Sequence, residues 1–224
     1  LDRKNIRIVK PEESGSLYYN YKNFVSILLI ALYNASYRFM FVDTGAYEKS
    51  SDSNVFEEST FFKILESQTL NIPLPQESYT GLHEAMLFVF VSDEGFGLSK
   101  YILRPYAGKF LNLKKLVFNY RLSRTRRYIE CSFGILANKW WIFHRPLNLD
   151  LTLTENIVKV CCVLHNFVHE RDGIKIKDIL IVEGLFEMDL ATGSTSRLAN
   201  NVRDKFANYF VSEEGAVPWQ MDRI

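Results

Sequence analysis

The sequence predicts an α/β fold: a mixed sheet flanked by helices, in one domain spanning residues 1–224. Strand-like apolar runs cluster in the first ninety or so residues, whereas helical periodicity dominates afterwards. The chain of 224 residues is 47% hydrophobic and 14% aromatic, enough for a sizeable core.

Residues 2–10, DRKNIRIVK, alternate so that Asp2, Lys4, Ile6 and Ile8 share one side of a strand that Pro11 stops. Turn residues fill 12–23. Phe24–Tyr33 is a continuous apolar run suited to a central strand, and Tyr37–Asp43 reads as its antiparallel neighbour across the Asn34-Ala35-Ser36 turn. Ser50 to Ser53 offer N-cap candidates, Asp52 among them, for a helix over 54–67. Residues 71–84, with Pro73, Pro75 and Gly81, form a loop, and Met86–Val91 is a fourth strand ending in Ser92-Asp93-Glu94-Gly95. An acid beside glycine at the carboxyl end of a buried strand suits either a functional group or an ordinary turn.

After a short helix or turn at Gly97–Leu103, the stretch from Lys114 to Trp141 reads as one long helix. Lys114, Lys115, Arg121, Arg124, Arg126 and Arg127 make it basic, and Glu130 is its only acid. That carboxylate either pairs with Arg126 one turn earlier or serves as a functional acid beside a phosphate-binding rim. Thr152 or Thr154 caps a further helix over 155–170. Residues 171–181 read as loop with a short extended piece. Residues 189–201 read as a flexible polar loop, and 201–210 as a final helix, with Trp219 folding back onto the core.

A net charge of +1 gives no global polyanion signature, so any nucleic-acid binding must be local, as in the basic run at 114–127. Cys131, Cys161 and Cys162 make no disulfide framework, which points to a reducing, intracellular setting. The apolar runs at 24–32 and 86–91 are too short to cross a bilayer. Cys161, His165 and His169 share a helix face, but one helix cannot surround zinc tetrahedrally, so locally satisfied core residues are the preferred reading.

Six segments, in order, resemble one family: SGSLYYNYKNFVSI (14–27), FVDTGAYEKSSDSNVF (41–56), VFVSDEGFGLSKYILRPY (89–106), FNYRLSRTRRYIECSFGILANKW (118–140), LHNF (164–167) and GAVPWQ (215–220). They are similar to the Harbinger-type transposases and Harbinger transposase-derived nucleases, whose DDE endonuclease domain has a ribonuclease H-like fold. The resemblance implies a catalytic and metal-binding triad of Asp2, Asp93 and Glu130. Asp52 is the runner-up for the second acid, and Asp43 is expected to support the fold. Where family members read Asp-Gly-x-His, this chain has Asp2-Arg3-Lys4-Asn5.

Such a triad suits two divalent ions, Mg²⁺ or Mn²⁺, about 4 Å apart, because hard cations select carboxylate oxygens. The implied activity is metal-dependent hydrolysis of DNA phosphodiester bonds followed by strand transfer. A catalytically inactive domesticated domain that binds DNA or protein is the competing reading. Arg124, Arg126, Arg127 and Lys139 are the candidate phosphate contacts on double-stranded DNA, with Arg121 and Lys114 weaker. Trp140 and Trp141 are candidates for base stacking, with core burial expected for at least one. The resemblance further implies a nuclear location, with the cytoplasm as a second one, and a Myb-like DNA-binding partner protein. It leaves a homodimer open, and the domain is expected to lack an upstream DNA-binding helix-turn-helix region.

Overall fold

The computed structural model describes residues 1–20, 22–46, 56–77, 85–173 and 196–224. Asp52, the start of the helix expected over 54–67 and residues 189–195 lie outside them. The protein is mixed α/β. It divides into two compact units, Leu1–Glu66 with Arg127–Glu187 and Ser67–Arg126 with Met188–Ile224, where the sequence predicts one domain.

The first unit is built on an antiparallel sheet of order β1-β2-β3, with β1 at Asp2–Arg7, β2 at Ser26–Tyr33 and β3 at Phe39–Ala46. Every residue of β2 is buried, as a continuous apolar run in a central position requires. The pairs Asp2↔Ala31, Lys4↔Leu29 and Ile6↔Ile27 put Asp2, Lys4 and Ile6 on one face. Arg3, opposite Ile30, belongs to the other face. Beyond Arg7, Ile8 N still donates in register to Val25 O, and the chain then leaves β2, with Val9 N donating to Leu147 O.

Asn34 shapes the β2–β3 turn. Its Oδ1 accepts from the backbone of Ser36 and Arg38, and Tyr37 adopts a left-handed φ of 58°. A short helix, α1, runs from Thr60 to Glu66. The long basic helix α2 occupies Leu113–Lys139, and its residues from Arg127 onward belong to this unit. There Ile129, Phe133 and Leu136, spaced four and three apart, join Ile6, Ile8, Ile27, Leu29, Ala31, Tyr33 and Phe39 in one core. Helix α3, Leu151–Asp172, adds Val158, Cys161 and Cys162 to the same core. Asp150, not Thr152 or Thr154, caps it: Asp150 Oδ1 accepts from Leu153 N at 3.2 Å, and the buried Thr154 hydroxyl instead donates back to Asp150 O.

The second unit corrects the expected fourth strand. The run 86–91 is split between two short ladders, Gln76–Glu77 (β4) with Ala85–Met86 (β5), antiparallel, and Phe90–Val91 (β6) with Ile102–Leu103 (β7), parallel. Consecutive apolar residues cannot say which neighbour supplies their hydrogen bonds. Of the short helix or turn expected at 97–103, the structure has the turn, a bend that leads into β7, with Ser99 Oγ accepting from Ile102 N. Helix α4, Arg197–Tyr209, starts earlier than predicted because Ser196 caps it, so 197–201 is helical and not loop. Its Ala199, Val202 and Ala207 pack with Leu98, Leu103, Tyr106, Phe118 and Leu122.

The GAVPWQ segment closes this unit. Gln220 is 2% exposed, donates to Phe210 O and accepts from Arg121. A Cβ on Gly215 would collide with the Tyr209 carbonyl, so only glycine fits. Trp219, expected in the core, remains about half exposed, with the Arg124 guanidinium over its ring at 5.5 Å.

Candidate active site

Asp2 heads β1 and is 8% exposed. Its Oδ1 accepts from Arg3 N at 2.8 Å, and its strand face is the one covered by α2, since Lys4 Nζ lies 5.8 Å above the Phe133 ring. Burial pushes the Lys4 amine below its ordinary range, with Asp2 opposing that shift and Lys22 adding to it. Tyr33 lies on the same face, its hydroxyl buried without a hydrogen-bond partner. Burial foremost, then Cys162 and Asp2, raises its pKa well above normal. The Asp2 carboxylate therefore shares a low-dielectric pocket with an ammonium and a neutral phenol.

Glu130 is half-buried on α2, between the core residue Ile129 and the buried Cys131. It is one turn from Phe133, the ring that Lys4 covers. The Cys131 thiol is raised by burial and by Glu130, and lowered by Arg127.

Asp93 belongs to the second unit, immediately after β6. Its Oδ1 accepts from Gly95 N at 3.0 Å, an Asx turn that fixes the strand exit. Next to it Glu94 is raised by burial first and by Asp93, with Arg104 and Arg126 opposing. Arg104 donates to the carbonyls of Glu94 and Phe96 and so braces the same turn. Sequence reading missed Arg104 and Glu94. The spacing of an acidic turn and an arginine on the next parallel strand was the available signal.

The other acid in the first unit has a different job. Asp43, opposite Ile30, lies on the sheet face away from Asp2, and its Oδ2 accepts from Thr60 N at the start of α1. It supports the fold, as its position in the resembling segment implied.

Of the candidate phosphate contacts, Arg124, Arg127 and Lys139 are exposed and Arg126 is half-buried. Arg121 is committed internally: it donates to Gly215 O and Gln220 Oε1 and stacks on Phe210 at 4.6 Å. Lys114 donates to Asn208 Oδ1 at 2.9 Å.

A family described as DDE superfamily endonuclease matches residues 1–166, a span that holds Asp2, Asp93 and Glu130. The chain belongs to that family. It is also 31% identical over 160 residues to the "Protein ALP1-like" of Arabidopsis thaliana, an alignment covering 70% of this chain and 38% of that relative. The chain thus spans about two fifths of the length of the relative it matches. No solved structure matches it.

Within this DDE-family chain the LHNF segment holds the sheet. His165 Nε2 bonds Tyr37 O at 2.9 Å, and Asn166 bonds both backbone groups of Phe39. Among the described residues no group of three His, Cys, Asp or Glu side chains is gathered as a metal cluster, and no helix is long and apolar enough to cross a membrane. All three cysteines are free and buried, and burial pushes the Cys162 thiol up to about 12.

Proposed function

We propose that the chain is a metal-dependent DNA endonuclease of ribonuclease H-like fold that hydrolyses a phosphodiester and transfers the strand, with Asp2, Asp93 and Glu130 as its carboxylate triad. The observation that carries this is the family match over 1–166, a span that includes all three acids. Each acid also sits at an element boundary or helix face held by well-packed neighbours: Asp2 by β2, Asp93 by its Asx turn and Glu130 by Ile129.

Three carboxylates are hard oxygen donors, and their chemistry fits Mg²⁺ or Mn²⁺. Bound there, two such ions would lower the pKa of a water nucleophile and offset charge on the leaving oxygen. The chain's own contribution is positional. Asp2 and Glu130 project from a sheet face and from the helix that covers it, and burial around Asp2 keeps bulk water away from its carboxylate. Exposed Arg124, Arg127 and Lys139, with Arg126, would hold the duplex through backbone phosphates, contacts that fix position without reading sequence.

A second reading has its own support. The 8% exposed Asp2 already has Lys4 in electrostatic range, so its charge is partly balanced without a metal, as suits a domain that binds DNA or protein without cutting. A Myb-like partner, a nuclear site of action and a homodimer are part of the proposal and rest on the family resemblance.

Cleavage of supercoiled plasmid in Mg²⁺ or Mn²⁺, beside a Glu130→Gln variant, tests the enzyme reading. Nicking by the wild type and none by the variant is expected. Equal nicking by both, or none by either, overturns it, and retained duplex binding without nicking selects the second reading.

A further inference from the structure

The two tryptophans at the end of α2 have opposite fates. Trp140 packs against the first unit's core together with Phe143, whereas Trp141 is 77% exposed. Both belong to the turn where α2 gives way to a 3-10 helix at Trp141–His144. With three residues per turn, positions 140 and 143 face inward while 141 and 144 are eclipsed on the outside. The outer rings are nearly coplanar in orientation, 13° from parallel, with centroids 6.4 Å apart. A planar base can therefore lie against the open face of Trp141 without displacing anything from the core.

The surroundings carry positive charge. Lys139 precedes the turn and Arg145 follows it, both exposed. The paired bonds Leu147 N to Arg7 O and Val9 N to Leu147 O tie the end of β1 to the segment after the turn, where Lys10 is exposed and the Arg7 guanidinium lies over the Phe24 ring at 4.4 Å. The nearest acid in sequence, Asp150, turns its carboxylate to the amide of Leu153 at the start of α3. An exposed aromatic face with the exposed Lys139 and Arg145 at the two ends of its turn is the chemistry that takes an unpaired base together with its phosphates. It differs from a solvated basic helix face, which offers charge and no stacking platform.

We propose that Trp141, seconded by His144 and flanked in sequence by Lys139 and Arg145, forms a stacking site for an unpaired nucleobase in single-stranded DNA. Binding there does not depend on cleavage.

The test is fluorescence anisotropy of the full chain with 5′-labelled dT12 and with a blunt 12-base-pair duplex, in EDTA so that cutting plays no part. Trp141→Ala should weaken dT12 binding at least about 10-fold, as loss of one aromatic stack does, and leave duplex binding unchanged. Trp141→Phe should restore dT12 binding to within about threefold of the wild type, because the ring face is kept. Thermal melts of both variants should match the wild type, since Trp141 is 77% exposed and absent from the core. Unchanged dT12 affinity in Trp141→Ala, an equal loss on duplex, or no binding of dT12 by the wild type would each overturn the proposal.

Discussion

Asn166 of α3 binds both backbone groups of Phe39 at the start of β3: its Oδ1 accepts from Phe39 N and its Nδ2 donates to Phe39 O, each at 2.8 Å. One side chain thus does for this strand what a neighbouring strand would do. One residue earlier, His165 holds Tyr37 O, so two adjacent side chains clamp the β2–β3 turn onto α3.

Removing that clamp should be costly. Phe39 is 8% exposed, and Asn166→Ala would strip its amide and carbonyl of their partners. A loss of about 2–4 kcal/mol is expected in urea unfolding, from two under-satisfied backbone groups. A change below about 0.5 kcal/mol would show that water replaces the amide without penalty.

His165 should make stability depend on pH. It is 1% exposed, Nε2 is committed to Tyr37 O, and Nδ1 is buried without a partner. Burial lowers its pKa most, the Tyr37 carbonyl opposes that, and electrostatic interaction with His169 and Lys139 lowers it further. Because the folded pKa lies below the unfolded value of about 6.5, the unfolded chain binds more protons in that window. Stability should be full above about pH 6.5 and should fall as pH drops toward the folded pKa. Melting curves from pH 7.5 to 5 should show this decline, with a shallower slope in His165→Gln; parallel slopes would assign the decline to other groups.

Arg3 stands where the resembling family carries glycine, yet its bulk is not aimed at Asp2. The register places Arg3 opposite Ile30 and Asp2 opposite Ala31, so successive side chains leave opposite faces of the sheet. Arg3→Gly should leave the plasmid-nicking rate unchanged while Asp2→Asn abolishes it. A large gain in Arg3→Gly would mean that the guanidinium obstructs the site from the other face.

Periodicity and composition carried much of this fold. The 24–33 run, apolar but for Ser26, suited a covered central strand, and the spacing of Ile129, Phe133 and Leu136 marked the inward stripe of α2. The ordered motifs pointed to the family that the match over residues 1–166 shows. Partner choice was not legible. The 86–91 run divides between two ladders, Asp150 and not a threonine caps α3, and Trp141 faces solvent while Trp140 packs inward. Hydrogen-bond partners and burial are set by atoms distant in sequence. Only the tertiary structure decides that Arg121 braces Gly215 and Gln220 while Arg124 stays on the surface, or that Asp43 caps a helix on the face opposite Asp2.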